Sequence, residues 1–117
     1  MPNTMLMLLF HRIKGQVVRD KGFPLGRTNL YFDCPELLAQ SNGSLQYAHS
    51  FCQDGYTICV NGRIEALNPA QIAGILWHEF GKLISGAQEN DKKADDTIRR
   101  YFKVRIKFDN ASRLWYV

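Results

Sequence analysis

Between positions 69 and 85 the apolar residues fall at helical intervals. Ile72, Ile75, Leu76 and Leu83 share one face of such a helix. Asn68 is a good N-cap, Pro69 suits the first helical position, and Gly86 suits the C-cap. The pattern predicts a helix over 69–85. A second helix is predicted over "DKKADDTIRRYF", residues 91–102, with Ala94, Ile98 and Tyr101 or Phe102 facing inward.

Other segments carry period two. Tyr56, Ile58 and Val60 alternate with Thr57, Cys59 and Asn61, as in a half-buried strand. "LQYAHSF" precedes it as another strand candidate, and Asp54-Gly55 between them is a hairpin or loop signal. At the tail, Val104, Ile106 and Phe108 alternate, "DNAS" supplies a turn and "RLWYV" returns, predicting a terminal hairpin. "GFPLGRTN" reads as a loop and "LYF" as a short strand. "CPELLAQSNGS" reads as a helical turn followed by a turn at Asn42-Gly43. The first twenty residues, "MLMLLF" followed by "HRIKGQVVRD", fit a helix or a strand equally.

Composition narrows the class. A chain of 117 residues suits one domain. No run approaches the roughly 20 apolar residues of a membrane span. Met5–Phe10 is too short for a signal-peptide core and has no basic residues before it, so a cytoplasmic protein is expected. The net charge is +4, but Lys and Arg are scattered and "DKK" and "IRR" are mixed with acids. That argues against nucleic acid as the partner. Cys34, Cys52 and Cys59 are an odd count without a C-x-x-C pair, which suits buried reduced thiols. Cys52 and Cys59 are spaced too widely for a zinc knuckle.

The candidate chemistry lies in "ILWHEFGKLISG". A histidine at position 82 would complete H-E-x-x-H, in which two imidazoles one helical turn apart bind zinc and the Glu acts as general base. An H-E pair alone means little. Here it sits on the predicted helix, behind "YTICVNGRI", which would serve as an edge strand, and ahead of "DKKAD".

With these residues the chain resembles a compact zincin-type metallopeptidase domain of the gluzincin kind, which carries H-E-x-x-H on one helix and E-x-x-A-D on the next. The resemblance is strongest over residues 50–117. It implies an α+β domain, 1–117: a short mixed or antiparallel sheet packed on the helix 69–85, a second helix over 91–102 and a C-terminal β-hairpin. It implies His78 as first metal ligand, Glu79 as general base, Asp91 as third ligand and Asp95 as the acid supporting the site. Glu89 is an alternative donor. Similar miniature domains occur in phage and prophage proteins, which implies a host cytoplasm or a virion.

Lys82 stands where the second His ligand belongs. An ammonium has three donors and no lone pair. Deprotonating an ordinary lysine at pH 7 costs roughly 4.6 kcal/mol. The expectation is therefore a catalytically degenerate zincin-like protein without a cofactor, in which Lys82 sits among Glu79, Asp91 and Asp95. It would act through a protein or peptide partner or as a structural component. One alternative is an active zinc peptidase using Glu79, with zinc as cofactor. Another is a basic nucleic-acid-binding module. The plainest is an ordinary helix with a core His78 and a solvated Glu79.

Overall fold

The computed structural model describes residues 4–32, 47–52, 56–86 and 90–117. The segment 34–44, Asn42-Gly43, Asp54-Gly55 and Glu89 lie outside the described residues. The chain forms a small α+β domain with a mixed three-stranded sheet and a C-terminal antiparallel strand pair.

The ambiguous N-terminus is helical. Helix α1 spans Thr4–Gly15 and runs into a π-helical turn over Gln16–Asp20. Leu6, Phe10, Ile13 and Val17 are buried at spacings of three and four, which only a helix places on one side.

Strand β1 (Thr28–Phe32) begins two residues before the expected "LYF". The Thr28 hydroxyl donates to the Leu25 carbonyl at 2.7 Å, and Lys14 donates to the Thr28 carbonyl at 3.1 Å. Strands β2 (Ala48–Cys52) and β3 (Tyr56–Val60) pair antiparallel, whereas β1 pairs parallel to β3. The strand order is therefore β1-β3-β2, and two expectations need correction. Residues 56–60 form the central strand and not the edge strand. Nor are they half-buried, since Thr57, Ile58, Cys59 and Val60 are all buried. A strand with a neighbour on each side and both faces covered buries its alternating polar positions too. Cys59 accordingly carries a buried thiol.

Helix α2 (Pro69–Ser85) has the predicted bounds. Asn68 Oδ1 accepts from the Gln71 amide at 2.9 Å, and Gln71 Oε1 accepts from the Asn68 amide at 3.1 Å. This reciprocal cap satisfies two otherwise orphaned donors. Gly86 closes the helix in the left-handed region, with φ 68°. Helix α2 is buried on every side from Ile72 to Gly81, so it forms the centre of the core. Phe80 is fully buried, 5.9 Å from the Phe10 ring, and its burial alone stabilises the fold by about 3 kcal/mol.

Helix α3 (Asp91–Phe102) starts at Asn90, whose side chain accepts from the Lys93 amide at 3.0 Å. Ala94 and Ile98 face inward as expected; of the two aromatic candidates, Phe102 is half-buried and Tyr101 exposed. Strands β4 (Lys107–Asp109) and β5 (Leu114–Tyr116) complete the chain. Their turn occupies 110–113, one residue later than "DNAS", because Asp109 itself caps it. The Asp109 carboxylate accepts from the Ala111 and Ser112 amides and from the Ser112 hydroxyl. Among the described residues no helix is long and apolar enough to cross a membrane.

Candidate functional site

Two glycines on α2 determine what can approach His78. Gly74, His78 and Gly81 stand four and three residues apart, so they form one strip of the helix. A Cβ on Gly81 would lie 2.5 Å from the Ala94 carbonyl oxygen of α3. A Cβ on Gly74 would collide with the backbone of Tyr116 and lie 2.6 Å from the Trp115 carbonyl carbon. The absence of both side chains lets α3 and β5 close on α2 on either side of His78.

His78 is fully buried between them. Its Nδ1 lies 2.7 Å from Asp95 Oδ1. The other Asp95 oxygen accepts from Trp115 Nε1 at 2.8 Å. The Trp115 ring stacks on the imidazole, with centroids 3.6 Å apart and planes 18° from parallel. Asp95 thus fixes the His78 ring and the indole that covers it. On the other side, His78 Nε2 lies 3.1 Å from Asp91 Oδ1. A carboxylate oxygen therefore stands against each ring nitrogen.

Lys82 completes the group. Its Nζ stands 3.9 Å from Glu79 Oε2 and 3.8 Å from Asp91 Oδ1. These are ion-pair distances, too long for hydrogen bonds. The Asp91 side chain is 59% exposed and the Lys82 side chain 12%, so the cluster opens to solvent along Asp91. Glu79 is buried rather than solvated, and its Oε1 has no hydrogen-bond partner among the described residues. The plain-helix expectation fails at that residue.

Five of the six residues singled out in the sequence, His78, Glu79, Lys82, Asp91 and Asp95, meet at one place. Of the remaining histidines, His11 is exposed on α1 and His49 lies in β2. Trp115 is the participant that the sequence pattern placed only in the returning strand of the terminal hairpin. Its role depends on the flanking Gly74 and Gly81, which the sequence does display as "GILWHEFG".

As arranged, these residues do not fit zinc. Lys82 presents no lone pair at the place of a second ligand, and a carboxylate oxygen lies against each His78 nitrogen. Among the described residues no three His, Cys, Asp or Glu side chains converge on a metal position. Compared with protein-family models, curated proteins and solved structures, the chain matches none.

Proposed function

We propose that the chain is a catalytically degenerate zincin-like domain that acts through a protein or peptide partner, or as a structural component, in a host cytoplasm or virion. The carrying observation is the Lys82 ammonium between Glu79 and Asp91, on the helix and at the spacing where a second His ligand would stand. Lys82 provides between the two helices the positive charge that a metal would otherwise provide. In this reading the partner, an extended peptide, docks at the β2 end of the sheet, beside α2.

The test is zinc content and peptide hydrolysis of the unmodified chain beside its Lys82→His variant. The unmodified chain is expected to keep no zinc through dialysis and to cleave nothing; the variant is expected to gain zinc. One equivalent of zinc in the unmodified chain would overturn the reading.

A second reading, an active zinc peptidase, draws on the buried Oε1 of Glu79, which has no partner among the described residues. It requires hydrolysis by the unmodified chain that Glu79→Gln abolishes.

A further inference from the structure

The net charge of +4 is not spread evenly. Residues 99–107, "RRYFKVRIK", hold five of the fifteen cations and none of the eleven acids. The rest of the chain is therefore net negative by one charge.

The fold turns this run into a surface. Lys103 caps α3 in the left-handed region, with φ 55°. Arg99 then donates through Nε and Nη2 to the Ile106 carbonyl, at 3.1 and 2.7 Å, and draws residues 103–106 back beside the helix. Val104 and Ile106 turn inward; Lys103, Arg105 and Lys107 are exposed. The three cations rim one hollow with Arg99. Among the described residues none of the three meets a carboxylate within ion-pair distance.

An exposed aromatic ring lies across α3 from this rim, with Arg100 on the helix surface between Arg99 and Tyr101. Tyr101 is 43% exposed. It is braced edge-on against Phe23 with centroids 5.3 Å apart, and the Arg100 guanidinium lies 5.7 Å from its centre. Tyr101 and Arg100 line a second hollow with Lys92, Lys93 and Asp96, whose carboxylate accepts from Arg99 at 2.9 Å. Unpaired cations in a row track a phosphate backbone, and a braced exposed ring offers a base a stacking surface. Acidic protein or anionic lipid would use the cations and leave the ring unexplained.

We infer that the face formed by residues 99–107 binds single-stranded nucleic acid, with Lys103, Arg105 and Lys107 on phosphates and Tyr101 stacked on a base. This face is separate from the His78 cluster, and the inference does not rest on the degenerate-zincin reading.

The experiment is fluorescence anisotropy with a labelled, mixed-sequence single-stranded oligonucleotide of about 16 nucleotides, titrated with the full chain from about 50 to 200 mM salt. Binding is expected to weaken with salt. The triple variant Lys103→Gln, Arg105→Gln, Lys107→Gln is expected to lose at least about tenfold in affinity, and the slope of log K against log salt to fall by about 2. Its melting midpoint should stay within about 4 °C of the parent, which separates lost binding from lost folding. Tyr101→Ala should weaken the single strand at least about fivefold and leave duplex affinity nearly unchanged. A control trio on the N-terminal segment, Arg12→Gln, Arg19→Gln, Lys21→Gln, removes equal charge and should change affinity less than about threefold. The inference is overturned by no binding, by equal losses in the two trios, by duplex binding as tight as single strand, or by vesicles containing phosphatidylserine competing as well as the oligonucleotide.

Discussion

The two ends of helix α3 use charge in opposite ways. In its first turns Asp91 and Asp95 bond the buried His78, and Asp95 also accepts from Trp115. In its last turn and just beyond, Arg100, Lys103, Arg105 and Lys107 project outward with no carboxylate partner among the described residues. The helix macrodipole favours this polarity, acids first and cations last, but accounts for only a fraction of a kcal/mol at each end. The larger difference is solvation. A charge taken out of water must be matched group for group, so the first end is locked to its partners. A charge left in water needs no partner, so the second end is available for one.

The contrast is sharpest at Asp95. Asp95→Ala leaves the His78 and Trp115 donors without their acceptor and is expected to destabilise the chain by about 3 kcal/mol, read from urea denaturation. A loss below about 1 kcal/mol would mean that the inner end is no more committed than the outer one.

Gly81→Ala tests whether the close approach of the helices sustains the cluster. Its Cβ must displace the Ala94 carbonyl or the helix itself. Destabilisation of about 1–3 kcal/mol is expected from overpacking, and Trp115 fluorescence should change in the same variant as its stacking on His78 loosens. Unchanged stability and fluorescence would show that the interface yields without cost.

The smallest effect concerns Asp109, an acid that faces water yet has local partners. Its pKa is lowered, first by the Ser112 hydroxyl and then by the Ala111 amide. A lowered folded-state pKa contributes stability that is present above the unfolded value, about 3.9, and lost as pH falls through the folded value. Asp109→Asn should therefore lower the melting midpoint slightly at neutral pH, and the gap should close in acid. A gap that persisted in acid would assign the effect to turn geometry alone.

Local chemistry made the second half of the chain legible. Asn68-Pro69 and Gly86 bound α2 because caps are read within a few residues, whereas the Asn90 cap of α3 emerges only in the structure. The N-terminal helix was ambiguous because "MLMLLF" is apolar at successive positions, so both periods fit until the core selects Leu6 and Phe10. The central place of β3 was not legible, since strand order depends on pairing across sequence and not on alternation within it. Within the site, His78, Glu79, Lys82, Asp91 and Asp95 were visible as spacings on two helices. The Trp115 contact was not, because it depends on a three-residue strand whose approach is set by Gly74.

That approach has a consequence for the order in which the molecule closes. Trp115 follows Asp95 by twenty residues, and nothing earlier in the described chain supplies its ring against His78. Until the final strand docks, the His78–Asp95 pair faces water through the cleft that β5 fills. A chain cut before residue 115 would have both helices and no cover for the histidine.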